Sequence, residues 1–307
     1  MDSLSARTRL LVVAPHPDDE TLATGILIQR VLAAGGSVHV LLLTDGDNNP
    51  WPQRWLERRL WIGRSARSRW GRRRRGEFDA ALAELGVPPG SVTALEWPDQ
   101  GLTRLIADAS APCIAVLDEV IRRQQPTLVA MPALDDRHPD HGAAHVLMRL
   151  ALERRTARPD VWLYRVHGGA RTWRPSIACV ADAPTWVRKR AALARHASQL
   201  ALGFRRMERL AARTERFESL AAAASSQSLP WAPRWPGRAC MRLTAAAAGT
   251  GNTWRWGAAP ILREREGGCR LAPEALPGGS GPLFVKLELT LPAIWIFDHW
   301  GWCELHR

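Results

Sequence analysis

The chain has 307 residues, of which 46% are hydrophobic and 23% charged, and its formal net charge is +12. This composition is typical of one large globular domain or a domain with an appendage, and it excludes a disordered tail, a coiled coil or a disulfide miniprotein as the whole molecule. Five widely spaced cysteines without a C-x-x-C pair indicate neither a disulfide framework nor a thiolate zinc site, so a reducing, cytoplasmic location is expected.

The N-terminal apolar run is too short for a signal peptide and no stretch reaches the length of a membrane span, so the chain is expected to be soluble. Only Lys189 and Lys286 among the 42 basic residues are lysine, a bias that suggests a GC-rich bacterial genome. The positive charge suits a nucleic acid, an anionic membrane surface or an acidic substrate, and by itself it does not select among them.

The first predicted elements form one strand–helix–strand unit. Residues 10–14 are a continuous apolar run typical of a strand buried on both faces of a parallel sheet. Residues 21–34 predict a packed crossover helix, which Gly35 and Gly36 end, and residues 37–44 predict the second strand.

An irregular stretch rich in Trp and Arg is predicted over residues 45–75. A helix over 77–85 and a third strand over 92–97 follow it. Ser110 is predicted to cap the next helix, and residues 127–131 form the fourth predicted strand.

The next elements are a helix over 140–153, strands over 161–166 and 177–180, and two helices within 185–224 interrupted near Gly203. This alternation predicts an α/β fold with a doubly wound, mostly parallel, Rossmann-like sheet in three α/β/α layers.

A second region is predicted to follow this domain. The amino-acid composition changes at about Ser225. This change divides the chain into a domain over 1–225 and an extension over 226–307 of unassigned role. Alternating polarity over 283–290 predicts at least one half-exposed strand in that extension.

Two acid-rich clusters contain three of the nine histidines, and each cluster directly follows a predicted buried strand. The first is PHPDDE, with His16, Asp18, Asp19 and Glu20; the second is DDRHPDH, with Asp135, Asp136, His138, Asp140 and His141. Ionisable groups held close together at strand ends are unfavourable unless a cation or a shared proton offsets their repulsion. A divalent metal is the simplest explanation.

The predicted topology brings the two clusters to one crevice. Strands one and four are neighbours at the switch point of the usual order, where ligands bind beyond the carboxyl ends of the strands. Imidazoles and carboxylates there would hold zinc with open positions for water and substrate. The alternative is that the acids cap helices and the histidines lie on the surface. His145 is a rival ligand or a helix-face residue.

These motifs resemble those of the PIG-L/LmbE-like N-acetylglucosaminyl deacetylases. His16 to Glu20 match the family's opening motif, with Pro15 in place of its alanine, and His138 to His141 match its His-Pro-Asp-His. A looser third motif stands as Lys189, His196, Ser198 and Gln199, followed by Glu215 and Phe217.

The resemblance implies a zinc-dependent amide hydrolase with one zinc per chain, acting on an N-acetylated amino sugar in a glycoconjugate. It implies that His16, Asp19 and His141 ligate the zinc and that Asp18 is the general base. His138 would stabilise the oxyanion or protonate the leaving amine, and Asp140 would orient it. Amide hydrolysis needs an activated water, a Lewis acid and a proton for nitrogen, which this set of groups supplies.

The resemblance also implies substrate contacts at Arg74, with an uncertain register in the run 72–75, and at Asp99. A solvated charge run is the alternative for the arginines. The tryptophans between residues 45 and 75 could form a lid over the site or pack in the core.

Two other functions remain open. A metal phosphoesterase also uses His and Asp clusters, but it would need more carboxylates and a second metal. Nucleic-acid binding through the run 72–75 is disfavoured because no recognisable binding fold accompanies it. The extension could gate substrate, form a dimer surface or contact a membrane.

Overall fold

The computed structural model falls into two compact units. One comprises residues 1–100, 124–132 and 159–220, and the other residues 101–123, 133–158 and 221–307. The structure describes residues 4–168, 173–220, 227–233, 236–247, 249–264, 268–272, 281–290, 297 and 299–305.

A seven-stranded sheet forms the centre of the first unit. Its strands are β1 (Arg9–Ala14), β2 (Ser37–Thr44), β3 (Val92–Trp97), β4 (Leu128–Pro132), β5 (Asp160–Tyr164), β6 (Ile177–Val180) and β7 (Thr214–Ser219). The strand order is β3-β2-β1-β4-β5-β7-β6. The five strands from β3 to β5 in this order are parallel. Strand β7 pairs antiparallel with β5, and β6 pairs antiparallel with β7. The predicted mostly parallel α/β fold is confirmed.

Strands β1 and β4 are direct parallel neighbours, paired from Leu10 with Leu128 to Val12 with Ala130. Both are buried over most of their length, and the Tyr164 hydroxyl on β5 donates to the Val13 carbonyl oxygen at 2.6 Å. The segments that follow β1 and β4 therefore leave the sheet from the same edge, as the sequence predicts.

Five helices belong to the first unit: α1 (Asp19–Ala33), α2 (Pro50–Glu57), α3 (Arg64–Glu84), α6 (Ala183–Arg195) and α7 (Ala197–Leu210). Helix α1 begins two residues before the predicted start, within the first cluster at Asp19, and it is buried along most of its length. It belongs to the hydrophobic core that packs against β1 and β2.

The prediction that residues 45–75 are irregular is wrong, because α2 and most of α3 lie there. The buried stripe of α3 consists of Ala66, Trp70, Arg74 and Phe78, spaced four residues apart. Arginine is a good helix former, but an arginine within the stripe and glycines beside it concealed this periodicity.

The predicted interruption near Gly203 is also wrong. The break lies at His196, whose φ of −78° and ψ of 49° separate α6 from α7. Residues 214–219, predicted as helix, form β7, and residues 221–224 lie outside the described part of the chain.

The second unit contains two long helices, α4 (Leu102–Gln124), whose last residue falls in the first unit, and α5 (Pro139–Leu152). Helix α4 begins eight residues before the predicted cap at Ser110 and is kinked at Ala109, where φ is −148° and ψ is 37°. Pro112, two residues after Ser110, suits the first turn of the segment beyond the kink, which explains why the sequence resembles a helix start there.

The described residues of the second unit also include seven short strands. They are β8 (Ser228–Leu229), β9 (Met241–Ala247), β10 (Thr250–Arg255), β11 (Ile261–Arg263), β12 (Cys269–Leu271), β13 (Leu283–Leu289) and β14 (Trp302–Leu305). They form a four-stranded sheet, β10-β9-β13-β14, and a three-stranded sheet, β11-β12-β8.

Strand β13 exists as predicted, but it is not half-exposed. Lys286 is only 1% exposed, and Phe284 is fully buried. The face that was predicted to meet solvent is covered by α5, because His145 packs edge-on to Phe284 and Arg149 lies over the same ring. Arg149 also makes a paired contact at 3.0 Å to both carboxylate oxygens of Glu304 on β14.

The division at residue 225 stays a prediction. Among the described residues, no helix combines the length and the apolar character needed to cross a bilayer.

Candidate active site

The first cluster occupies the turn between β1 and α1. The carboxylate of Asp19 accepts from the His16 backbone amide at 2.9 Å and lies 3.3 Å from His16 Nδ1. His16 Nε2 is 3.2 Å from Asp99 Oδ1, just beyond β3. His16 is 7% exposed and Asp19 1% exposed, so an imidazole and a carboxylate are held together away from bulk water.

Asp18 has a left-handed backbone conformation, with φ of 119° and ψ of −27°. Such a conformation costs about 1–3 kcal/mol in a residue with a side chain, so surrounding contacts must impose it. Glu20 accepts from the Asp18 amide at 2.9 Å, and the Leu22 amide donates to the Asp18 carbonyl at 2.9 Å. The turn thereby directs the Asp18 carboxylate toward Arg74, whose Nη2 lies 3.2 Å away.

Burial raises the pKa of Asp18 to about 6, while the charge of Arg74 opposes the rise and the charge of Asp19 adds to it. A carboxylate with a pKa in this range accepts a proton more readily near neutral pH than an ordinary aspartate does.

The pKa of Asp99 is shifted in the opposite direction. Burial works to raise its pKa, but the hydrogen bond and charge of His16, together with the charge of Arg74, outweigh burial and hold the pKa below its usual value. The Asn48 amide also donates to Asp99 Oδ2 at 2.7 Å, which ties the loop after β2 to this group.

Arg74, predicted to touch substrate, is 4% exposed on α3. Its guanidinium donates to the carbonyl oxygens of Gly46 and Pro17, both at 2.7 Å, as well as to Asp18. Gly46 has a φ of 62°, and a Cβ at this position would overlap the guanidinium. Arg74 therefore positions the loop that carries Asp18.

The third motif lies behind the first cluster. His196 Nε2 is 3.0 Å from Glu20 Oε1, and the Thr21 hydroxyl donates to the same oxygen at 2.6 Å. Since Glu20 also holds the Asp18 amide, His196 supports the turn indirectly. Ser198 donates to Glu77 on α3 at 2.6 Å, which fixes the start of α7.

Lys189 and Glu215 form a buried ion pair with a separation of 2.6 Å. Glu215 accepts from the backbone amides of Ile26 and Leu27 at 2.7 and 2.9 Å, and Lys189 donates to the Leu22 carbonyl at 2.9 Å. The ion pair thus binds the backbone of α1. Lys189 and Glu215, which belong to the third motif, therefore have a structural role.

In the second unit, the second cluster forms the turn into α5. His138 caps the helix, because its Nδ1 accepts from the Asp140 amide at 3.2 Å. His141 is fully buried, and its Nδ1 lies 3.2 Å from Asp136 Oδ2. The two imidazole rings are neighbours, with centroids 5.1 Å apart.

Asp140 is 1% exposed, and its carboxylate accepts from the Leu102 amide at the start of α4, at 3.1 Å. The hydrogen bond from Asp140 to His138 Nδ1 is made by its backbone amide. His145, the rival ligand, is 1% exposed and packs against Phe284, with ring centroids 6.2 Å apart.

Both clusters fall within one family match. Residues 11–152 match the family model described as PIG-L, GlcNAc-PI de-N-acetylase. This chain carries a PIG-L family domain. The resemblance inferred from the two motifs is confirmed.

Relatives of this PIG-L family domain include two proteins named 1D-myo-inositol 2-acetamido-2-deoxy-alpha-D-glucopyranoside deacetylase. The one from Mycobacterium avium is 38% identical over 146 residues, covering 43% of this chain and 47% of the relative. The one from Mycolicibacterium gilvum is 33% identical over 193 residues, covering 58% and 66%. The chain spans about half the length of the curated relatives it matches first, at 47%, 47% and 51%.

Solved structures show the same fold. A conserved protein from Thermus thermophilus superposes with a TM-score of 0.53 at 28% identity, covering 74% of this chain and all of that chain. The N,N'-diacetylchitobiose deacetylase from Pyrococcus horikoshii gives 0.51 at 20% identity, covering 69% and 83%.

Three groups of this chain, Asp136, Glu20 and His196, had no role predicted from the sequence, yet the structure places them against the predicted residues. Asp136 contacts His141, while Glu20 and His196 form a pair behind Asp18. Asp136 and Glu20 belong to the acid-rich clusters, so the signal was present. Their partners depend on which side chains face each other, which spacing does not reveal.

Proposed function

We propose that this chain is a zinc-dependent hydrolase that removes the acetyl group from an N-acetylated amino sugar in a glycoconjugate. The observation that carries the proposal is the pair of His/Asp clusters, each following one of the adjacent parallel strands β1 and β4 within the matched PIG-L region. The names of the relatives support an acetamido sugar as the substrate, and an inositol conjugate of N-acetylglucosamine is the first candidate.

His16, Asp19 and His141 are proposed to hold one zinc per chain. The donor set fits, because two imidazoles and a carboxylate are ordinary zinc ligands. The Asp136 carboxylate at His141 Nδ1 is the outer partner that commonly fixes a ligating histidine, and it selects Nε2 as the ligand atom. When bound, zinc would polarise the amide carbonyl and lower the pKa of a water molecule.

Asp18 is proposed as the general base. Its half-buried carboxylate lies beside Arg74, and its raised pKa of about 6 suits proton transfer near neutral pH. The strained turn keeps this side chain in one orientation before substrate arrives, which avoids reorganisation during the reaction.

His138 is proposed to stabilise the oxyanion or to protonate the leaving amine. The Asp140 amide donates to Nδ1, so the neutral ring carries its hydrogen on Nε2, from which it can donate a hydrogen bond to the oxyanion. Protonation of the leaving amine would instead require the imidazolium form, in which Nδ1 no longer accepts from the Asp140 amide. Asp140 is proposed to orient His138 through the backbone at the start of α5.

Arg74 and Asp99 stay proposed substrate-binding residues, and their contacts with Asp18 and His16 add a positioning role. We also propose a cytoplasmic location, which the spacing of the five cysteines in the sequence suggests.

The test is acetate release from a panel of N-acetylglucosamine conjugates, headed by the inositol conjugate, with bound metal counted on the same samples. We expect about one zinc per chain and no turnover of phosphoester controls. Asp18→Ala should lower the rate by about 10²- to 10⁴-fold while zinc is retained. Full activity of zinc-loaded Asp18→Ala would show that the base is a different residue, and turnover of phosphoesters alone would overturn the proposed reaction.

A further inference from the structure

Helix α2 and the loop after it present large apolar side chains to solvent. Trp51 is 63% exposed, Trp55 66%, Leu60 87% and Trp61 91%. Together with Leu56 these residues are called the α2 surface. All of them except Trp61 line a groove of about 660 Å³, to which Leu202 on α7 also contributes.

The clustering is unusual for a soluble surface. Single exposed apolar residues are normal, and Val116, Val187 and Leu262 are examples elsewhere on this chain. Three indoles and two leucines within 11 residues are a contiguous patch, which marks an interaction site.

The same segment is strongly basic. Residues 50–75 contain ten arginines and one acidic residue, Glu57. Glu57 is paired with Arg69, so its charge is already neutralised. Arg54, Arg58 and Arg59 line the groove itself, and the Arg54 guanidinium lies 5.0 Å from the centre of the Trp51 ring.

We propose that the α2 surface is a peripheral docking site for an anionic lipid bilayer. Indole rings favour the headgroup level of a membrane, leucines favour the acyl boundary, and arginines are attracted to anionic headgroups. The three requirements coincide at this one place. A nucleic acid would use the arginines and could stack on the indoles, but it offers nothing to the aliphatic walls formed by Leu56, Leu60 and Leu202.

The location of the surface in the chain adds a consequence. Helix α2 begins at Pro50, two residues after Asn48, whose amide holds Asp99 beside His16. Lipid contact would therefore occur on the element next to the His16 cluster, a suitable place to receive a glycoconjugate presented at a membrane surface. The docking itself does not depend on the proposed deacetylation.

Co-sedimentation of the full chain with vesicles tests the proposal. One set of vesicles is pure phosphatidylcholine and the other contains about 30% phosphatidylglycerol, each at low salt and at about 0.5 M salt. We expect binding to the anionic vesicles at low salt and at least about tenfold weaker binding to the neutral ones.

Two double variants separate the apolar contribution to vesicle binding from the electrostatic one. Leu60→Ser with Trp61→Ser removes apolar surface, and Arg58→Glu with Arg59→Glu reverses charge; each should weaken binding by about tenfold or more. The matched controls are Val187→Ser, an exposed apolar residue on α6, and Arg7→Glu with Arg188→Glu, exposed arginines away from the α2 surface. Both controls should bind like the wild type, and circular dichroism should show all variants folded.

Several results would overturn the proposal. Three of them concern the vesicles: no binding by the folded wild type, equal binding to neutral and anionic vesicles, or an equal loss of binding in the control variants. A fourth is that the α2 surface binds a second copy of the chain, seen as a dimer that Trp61→Ser dissociates. Preferential binding of the α2 surface to DNA would equally overturn it. Acetate release from a water-soluble conjugate should stay within about twofold in these variants, so failed docking and a failed deacetylase assignment are distinguishable.

Discussion

Arg74 shows how one buried charge organises the loop that carries Asp18, the proposed general base. Its guanidinium contacts Asp18, Pro17 and Gly46, which lie on two different segments. Removing such a cation leaves the half-buried Asp18 carboxylate without its counter-charge, a change that is usually strongly destabilising.

We therefore expect Arg74→Met to lower the free energy of unfolding by about 3 kcal/mol and to depress acetate release. Urea denaturation measures the first effect. Arg104→Met is the control, because Arg104 makes an exposed helix pair with Asp108 on α4 whose loss should change stability by less than about 1 kcal/mol. Equal stability of the two variants would contradict a structural role for Arg74.

His196 supplies a pH-dependent contribution to stability. Burial works to lower its pKa, but the charge and hydrogen bond of Glu20, together with the charge of Asp18, outweigh burial and raise it above the usual value. A raised pKa in the folded state means that the charged ring stabilises the fold. This contribution is fully present below the unfolded pKa of about 6.5 and is lost as the pH rises through the folded pKa.

His196→Gln should accordingly cost more stability at about pH 6 than at about pH 9. Urea denaturation of wild type and variant at both values gives the difference. A His196→Gln penalty that is the same at both pH values would contradict a charged His196.

At the scale of elements, α1 is held by a polar clamp. Lys189 and Glu215 reach its backbone at Leu22, Ile26 and Leu27, in the middle of an otherwise apolar helix. Burial raises the pKa of Glu215 and Lys189 opposes the rise, so the carboxylate depends on its partner to stay charged.

A double-mutant cycle tests this clamp. Lys189→Met alone should destabilise the protein by about 3–5 kcal/mol, because Glu215 is left buried without its counter-charge. Glu215→Gln on that background should add much less than it does alone, giving a coupling of about 2 kcal/mol in urea denaturation. Additive effects would show that the two side chains act independently.

The sequence predicted the parallel sheet and the turn clusters well, because apolar runs such as β1 and β4 and the acids after them are local signals. It failed where a polar residue takes a core position. Arg74 in the stripe of α3 and Lys286 inside β13 look like solvent-facing residues, yet both are buried. The partners that make this possible come from distant parts of the chain, such as Gly46 for Arg74, and spacing cannot identify them.

At the scale of the whole molecule, the proposed zinc ligands come from segments more than a hundred residues apart. His16→Ala and His141→Ala should each lower bound zinc to well below one per chain, because removing a single ligand from a three-ligand site weakens it severely. Metal analysis after dialysis measures this. His145→Gln is the control that should keep its zinc, since that ring packs against Phe284.

Zinc retained by both His16→Ala and His141→Ala would contradict a shared site. The candidate residues themselves could be predicted from the sequence because short motifs carry them. The roles of Asp136, Glu20 and His196 could not be predicted from the sequence, because these residues act only through contacts that form on folding.

The loop between β2 and α2 contacts two proposed substrate-binding residues, because the Gly46 carbonyl oxygen accepts from Arg74 and the Asn48 amide donates to Asp99. A single methyl group at residue 46 would displace the guanidinium, so this stretch has little freedom to drift over evolution. New substrate preferences should therefore arise a few residues downstream, on α2, where exposed side chains can be substituted at small cost to the stability of the fold.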